Sequence, residues 1–271
     1  MKKRDKVVIR LASIPDVQAL PDTRNLSIDK VGIRDIRQPV KIIDRSGLEQ
    51  PTIATFGMFV QLAPEVKGTH MSRFVEVLEE HEGALSLTNF PELIQAVAVR
   101  LDAEHCEVEM SFPYFMEKAA PVTGVTSTLD FEVTMVCEWD SGNLKEQLTV
   151  EVPVTSLCPC SKTISDYGAH NQRSLVSATV EIVSPFWIDD LIALLEIQGS
   201  CELYPILKRP DEKHVTERAY ENPKFVEDIA RDVAMAFNAD ERIGKFCVTV
   251  ENFESIHNHS AFAEITGGFE D

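Results

Sequence analysis

Phe131-Glu132-Val133-Thr134-Met135-Val136-Cys137-Glu138-Trp139-Asp140-Ser141-Gly142-Asn143-Leu144-Lys145-Glu146-Gln147-Leu148-Thr149-Val150 is the stretch from which the fold follows. Two strand-like runs, 125–139 and 144–154, flank Asp140-Ser141-Gly142-Asn143. Successive side chains of a strand point to opposite faces, so each run offers one face to a core. A short link containing Ser-Gly turns such runs into a hairpin, and hairpin partners are antiparallel.

Upstream, 31–43 and 52–62 read as a second pair of strands around the turn signal Asp44-Arg45-Ser46-Gly47. Thr69 is placed to cap a helix running to about residue 81, with Met71, Phe74, Val75 and Leu78 on one face. A second helix is expected over 91–103, with Pro91 in its first turn and Leu93, Ile94, Val97, Val99 and Leu101 turned inward. A strand follows at 106–115. Downstream, 175–183 alternates again, 187–195 reads as a helix, 208–213 as a charged loop and 215–237 as one longer helix. The runs 246–252 and 259–265 are the last strands expected. Strands, a helix pair and strands thus occur twice, as in a duplicated ββαα-type unit of the α+β class, with antiparallel sheet and helices on one face. Such a sheet must protect its edges, and closure into an oligomeric barrel would do so.

Composition narrows the function. The chain has 271 residues, 44% of them hydrophobic, enough for a sizeable core. Its formal net charge of −18 argues against general nucleic-acid binding. No apolar run approaches the roughly 20 residues that span a bilayer, and the basic start 1–6 leads into only three apolar residues. A soluble cytoplasmic protein is the expectation, with no membrane partner and no nucleic-acid partner. In that reducing compartment the 6 cysteines are thiols or metal ligands. Cys106, Cys137 and Cys247 lie in apolar or alternating stretches and read as small buried side chains.

Cys158-Pro159-Cys160 is different. Small, polar and basic residues surround it, His170 follows ten residues after Cys160, and the segment reads as a site on a loop. Two thiols and an imidazole can hold zinc; alternatively one thiol binds metal while the other meets the substrate. His257 and His259 are two residues apart, which on a strand puts both on one face. Glu212 is a carboxylate among the basic residues Lys208, Arg209 and Lys213, and can be a ligand or a solvated charge. Lys162, Arg173, Lys208 and Arg209 gather positive charge near these segments in an acidic chain, as an anionic substrate requires. His70 and Arg73 open a helix, a place suited to phosphate. Glu227 offers a carboxylate that can pair with a guanine N1–H and amino group, or simply face solvent. Neither G-x-x-x-x-G-K-[ST] nor G-x-G-x-x-G occurs, which leaves an ATPase or Rossmann reading without support.

Six motifs in order carry a family resemblance: 68–74 (Gly-Thr-His-Met-Ser-Arg-Phe), 153–162 (Pro-Val-Thr-Ser-Leu-Cys-Pro-Cys-Ser-Lys), 168–174 (Gly-Ala-His-Asn-Gln-Arg-Ser), 207–213 (Leu-Lys-Arg-Pro-Asp-Glu-Lys), 221–228 (Glu-Asn-Pro-Lys-Phe-Val-Glu-Asp) and 251–260 (Glu-Asn-Phe-Glu-Ser-Ile-His-Asn-His-Ser). From about Arg24 to Glu264 the chain closely resembles prokaryotic GTP cyclohydrolase type IB. The resemblance implies a tunnelling fold (T-fold): an extended arm over 1–30, a first module over 31–120, a second over 121–271 carrying most of the site, and a homotetramer. It implies conversion of GTP and water to 7,8-dihydroneopterin triphosphate and formate, on the way to tetrahydrofolate or to deazaguanine tRNA modification. It further implies a divalent metal, Zn2+ or a substitute such as Mn2+ or Fe2+. Cys158, Glu212 and His257 then look like ligands, with His170 and His259 in or next to the shell. Cys160 looks like a second essential thiol facing substrate, Glu227 like the guanine anchor, and His170 and His259 are suited to moving protons. Related activities remain beside this one: a cyclohydrolase making a cyclic-phosphate pterin, a nitrile reductase (against which the His257/His259 pair argues), or a non-catalytic metal- or nucleotide-binding protein.

Overall fold

The structure, a computed structural model, describes residues 16–268 other than 19 and 82. Of the arm expected over 1–30, residues 1–15 lie outside the described residues. In chain order the elements are β1 (Ile28–Ile43), β2 (Glu49–Leu62), α1 (Met71–Glu80), α2 (Phe90–Leu101), β3 (His105–Ala119), β4 (Thr126–Asp140) and β5 (Asn143–Leu157). There follow α3 (Pro159–Ile164), β6 (Asn171–Ile182), α4 (Ile188–Glu196), β7 (Cys201–Glu202), α5 (Arg209–Glu221), α6 (Val226–Asn238), β8 (Ile243–Asn252) and β9 (Ala261–Gly267).

The strands form one antiparallel sheet in the order β1-β2-β3-β4-β5-β6-β8-β9, with β7 added on β5. The β4–β5 hairpin closes as its sequence demands. Asp140 faces Asn143, and Ser141 (φ 50°) and Gly142 (φ 100°) both adopt left-handed backbone. Two such residues give the tight turn whose twist matches that of the strands.

The helices cover one face. Met135, Leu148, Val150, Val176 and Val180 pack there with Leu191, Ile192 and Leu195 of α4 and Ile229, Val233 and Phe237 of α6. Phe56, Met110 and Phe112 do the same with Phe74, Leu93, Ile94 and Val97 of α1 and α2. The opposite face is polar. A row of hydroxyls, Thr55, Ser111, Thr134, Thr149 and Thr179, crosses five strands in register, with side-chain hydrogen bonds of 2.8 Å between Ser111 and Thr134 and between Thr149 and Thr179.

Four local expectations change. α1 begins at Met71 with His70 at its N-cap, so Thr69 caps nothing; its carbonyl accepts from the Gln18 side-chain amide at 2.8 Å. Val99 is 83% exposed, because a residue two positions from the buried Val97 sits on the far side of a helix. The charged loop at 208–213 is the start of α5, and the single helix over 215–237 is two helices. They are parted at 222–225 by Pro223, which lacks the N–H a helix interior requires.

Glu146 stands opposite Cys137, toward the helix-covered side. Burial raises its carboxyl above the ordinary range, and burial followed by the nearness of Glu146 raises the Cys137 thiol. A carboxyl with a raised folded-state pKa gives stability that is present at acid pH and lost as pH rises through that pKa. Glu146→Gln should therefore raise the guanidinium midpoint at pH 7.5 and leave it unchanged near pH 4. An equal effect at both pH values would show that the charge is not the cause.

Candidate functional site

The site grows from the adjoining ends of β5, β6 and β8, along the rim of the sheet where these strands terminate. Where β5 ends, Pro159 opens α3 and Cys158 becomes its N-cap, Sγ accepting from the Ser161 N–H at 3.4 Å. The sequence reading of a plain loop is corrected here: Cys160 and Lys162 ride on a short helix, Cys160 exposed. Two bonds zip the cysteine segment to the histidine segment. The Cys158 N–H donates to the His170 carbonyl at 3.2 Å, and the His170 N–H donates to Ser161 Oγ at 3.2 Å.

The imidazole of His170 is held by one nitrogen. Nδ1 lies 2.9 Å from Gln172 Oε1 and 3.1 Å from Ser255 Oγ. An amide oxygen only accepts, so Nδ1 carries the hydrogen and Nε2 keeps its lone pair in the neutral ring. Neither Gln172 nor Ser255 stood out in the sequence. Gln172 is two residues beyond His170 on the same strand edge, a local signal; Ser255 is 85 residues away, and only the fold brings it there.

Ser255 belongs to the β8–β9 connection, 253–260, tied down by the Phe253 N–H on the Arg173 carbonyl at 2.9 Å. His257 and His259 lie in this connection and not on a strand, since β9 starts only at Ala261. Their rings nevertheless stack, with centroids 5.2 Å apart and planes 16° off parallel.

Glu212 is in the first turn of α5, where Arg209 Nη1 holds its Oε2 at 3.2 Å. The residue before it proved to be buried. Asp211 is 0% exposed and accepts from the N–H groups of Val122, Thr123 and Lys208 at 2.9 Å each and from Thr123 Oγ1 at 2.7 Å. Desolvation works to raise its carboxyl, but these hydrogen bonds outweigh it and hold the carboxyl well below the usual range. Glu227 is exposed in the first turn of α6. That turn is joined to the cysteine strand by the Lys224 N–H on the Leu157 carbonyl at 3.0 Å. Lys162 Nζ sits over the Tyr220 ring, 4.5 Å from its centroid, and donates to the Tyr220 carbonyl. Arg173 is exposed, and Lys208 and Arg209 stand at the head of α5.

One pair is not brought to this edge. His70 and Arg73 line a cavity of about 930 Å³ with Leu62, Leu101 and His105, at the opposite end of the strands, and His70 Nε2 lies 3.1 Å from Asp16.

The donor chemistry at the cysteine edge suits a divalent ion: a thiol, an imidazole with its outer nitrogen already oriented, two further imidazoles and a carboxylate. Among the described residues, no three His, Cys, Asp or Glu side chains lie close enough together to hold a metal. The remaining thiols are of another kind. Burial pushes Cys106 up to about 11, and Cys201 up to about 11 with Glu202 adding to it. No helix among the described residues is long and apolar enough to cross a membrane.

Comparison with known proteins was made on this geometry. The family model described as "Type I GTP cyclohydrolase folE2" matches residues 14–263. The chain is 58% identical over 252 residues to GTP cyclohydrolase FolE2 of Methylobacillus flagellatus, covering 93% of this chain and 95% of that one. It is 54% identical over 254 residues to GTP cyclohydrolase FolE2 2 of Dechloromonas aromatica, covering 94% of each. In backbone shape it is similar to uricase from Arthrobacter globiformis, with a TM-score of 0.52 at 10% identity over 88% of this chain and 92% of that one.

Proposed function

The chain belongs to the type I GTP cyclohydrolase FolE2 family, and from that premise we propose that it converts GTP and water to 7,8-dihydroneopterin triphosphate and formate, with the Cys158–His170 edge as its reaction centre. The observation that carries this is the pair of bonds zipping the two segments, Cys158 N–H to the His170 carbonyl and His170 N–H to Ser161 Oγ, together with the clamp of Gln172 and Ser255 on the imidazole.

Cys158, Glu212 and His257 would hold a divalent ion, zinc, manganese or iron(II), with His170 and His259 in or next to the shell. Closure of 253–260 and of the head of α5 toward Cys158 would complete that shell. Such an ion supplies Lewis acidity, which makes hydroxide available from water near neutral pH. Water adds at C8 of the guanine, the imidazole ring opens to a formamide, and a second water releases formate; condensation of the freed amine with the rearranged sugar's carbonyl at pterin closure returns one water, so that one is consumed overall. Ribose opening, rearrangement and pterin closure then need protons moved between nitrogen and oxygen atoms. The neutral His170 ring can take a proton at Nε2 while Gln172 keeps Nδ1–H in place. His259 is suited to the same work, and Cys160 protonates or holds an intermediate from the exposed side of α3.

Glu227 anchors the base by accepting from its N1–H and amino group. Lys162, Arg173, Lys208 and Arg209 take the triphosphate, against a chain whose net charge is −18. His70 and Arg73 are supplied by a neighbouring copy, since their own strand ends point away from Cys158. Exposed apolar side chains at the cysteine edge support such an assembly: Tyr167, Ile164, Ile256, Phe262 and Phe253. So do the sheet edges at β1 and β9, beyond which no further strand lies among the described residues. A cytoplasmic homotetramer is proposed, its product destined for tetrahydrofolate or deazaguanine synthesis.

The test is pterin fluorescence and formate release from GTP before and after chelation, with zinc, manganese or iron(II) restored singly. Both signals should vanish on chelation and return with the working metal. GTP left intact under every metal would overturn the reading, and NADPH oxidation in its place would point to a reductase.

A further inference from the structure

We infer that Asn252 and Ser156 are positioning residues, two members of a buried hydrogen-bond relay that fixes the guanine-anchoring helix relative to the metal-side residues. Ser156 and Ser174 are 0% exposed and Asn252 is 3% exposed. Ser174 Oγ donates to Asn252 Oδ1 at 2.6 Å, Asn252 Nδ2 donates to Ser156 Oγ at 3.2 Å, and Ser156 Oγ donates to the Lys224 carbonyl at 3.0 Å. The direction is forced. A carbonyl only accepts, so the Ser156 hydrogen goes to Lys224 and Ser156 must accept from the amide nitrogen of Asn252. The amide oxygen is left facing Ser174.

The sheet does not need this relay. The inward positions next to it on the same strands are Val150, Val152 and Val154 on β5, Val176, Ala178 and Val180 on β6, and Val248 and Val250 on β8, all buried. Three polar side chains replace them only at the last step before the site, and burying polar groups costs free energy unless each is paired. What they join is specific. Ser156 stands two residues before Cys158, Ser174 four after His170, Asn252 five before His257, and Lys224 three before Glu227. Two neighbouring contacts stiffen the same joint: Ser200 Oγ accepts from the Leu157 N–H at 3.0 Å, and Asn222 Nδ2 donates to the Gly199 carbonyl at 3.0 Å. The four segments that bear thiol, imidazoles and anchor thus share one interior link. The inference rests on the roles proposed above for Cys158, His257 and Glu227.

The test uses full-length Ser156→Ala and Asn252→Ala, each checked for folding by circular dichroism and thermal melting. Zinc affinity is read by competition with a chromophoric chelator, and GTP affinity by equilibrium binding. Ser156→Ala removes the bond to the Lys224 carbonyl, and with it the tie to the connector of Glu227, while Asn252 loses one partner but stays anchored through Ser174, so GTP affinity should fall about tenfold while zinc affinity holds. Asn252→Ala also frees the root of the His257 connection, so zinc affinity should fall by about 10–100-fold. Should Asn252→Ala not fold, Ser174→Ala removes the same end of the relay through one hydroxyl and should shift zinc affinity in the same direction. Variants that melt earlier but keep wild-type zinc and GTP affinities would overturn the inference and leave a purely structural network. Zinc binding in a wild type that never turns over GTP would overturn the reaction and not the relay, because neither affinity depends on turnover.

Discussion

Cys158→Ala is expected to yield a folded protein that binds no stoichiometric metal and turns over GTP at less than about one thousandth of the wild-type rate. Loss of the ion removes several kcal/mol of charge stabilisation, and about 1.4 kcal/mol is a factor of ten. The fold should tolerate the change. Cys158 caps a helix of only 6 residues, and its Sγ accepts one hydrogen bond, at 3.4 Å from Ser161 N. The two bonds that zip this segment to His170, one between backbone groups and one to Ser161 Oγ, use no side-chain atom of Cys158. Cys160→Ala is the contrast. Its thiol is exposed, one residue into α3 from Pro159. Removing it should leave metal content intact and lower turnover by about 10²–10⁴-fold, the range of general acid–base catalysis. Elemental analysis beside the pterin assay reads both. Metal missing from the Cys160→Ala protein would show that the two thiols share one task.

How far these roles can be read from sequence depends on the range of the contacts that define them. The β4–β5 hairpin was legible because its signal is local: alternation on both sides of Ser141-Gly142, and a turn that two positive φ angles permit. The Cys158–His170 pairing was legible for the same reason, its partners lying in neighbouring segments. The head of α5 was misread as a loop because Lys208–Lys213 is a run of charge. Yet Pro210 in the first turn, with Asp211 accepting from Lys208 N, is an ordinary helix start. The burial of Asp211 was beyond reach, since its other partners, Val122 and Thr123, are 89 and 88 residues away. His257 and His259 were assigned to a strand on spacing alone. The ladder with β8 stops at Asn252 opposite Ala261, so the connection between them carries both rings. The relay through Asn252 was invisible for a further reason: its three side chains come from three strands, and in sequence each is one polar residue at the end of an apolar alternation.

Lys118→Met is expected to cost about 3–5 kcal/mol of stability, a large share of the 5–15 kcal/mol typical of a folded domain. Lys118 Nζ lies 2.6 Å from Glu196 Oε2, and the two side chains are only 13% and 6% exposed. Burial raises the Glu196 carboxyl while Lys118 lowers it, and Glu196 Oε1 has no partner among the described residues. The carboxylate also ends α4, where the helix dipole disfavours negative charge. Without the ammonium, Glu196 must either stay charged in the interior or take up a proton. In the variant the carboxyl pKa rises further, so the loss should be greatest at pH 7.5 and shrink towards pH 5, as stability lost on deprotonation returns when pH falls. The damage should reach the site, because 196–200 turns directly into the support of Leu157: Gly199 N–H donates to the Glu196 carbonyl at 3.3 Å and Ser200 N–H to the Thr155 carbonyl at 2.7 Å. Lys118→Met combined with Glu196→Leu removes both charges and should recover most of the loss, since a buried ion pair replaced by apolar groups of similar size is often neutral or better. Guanidinium midpoints of the single and double variants at the two pH values decide it. A double variant as unstable as the single one would mean that Lys118 matters for its packing beside Tyr204, whose ring centroid lies 5.3 Å from Nζ, and not for the charge it supplies to Glu196.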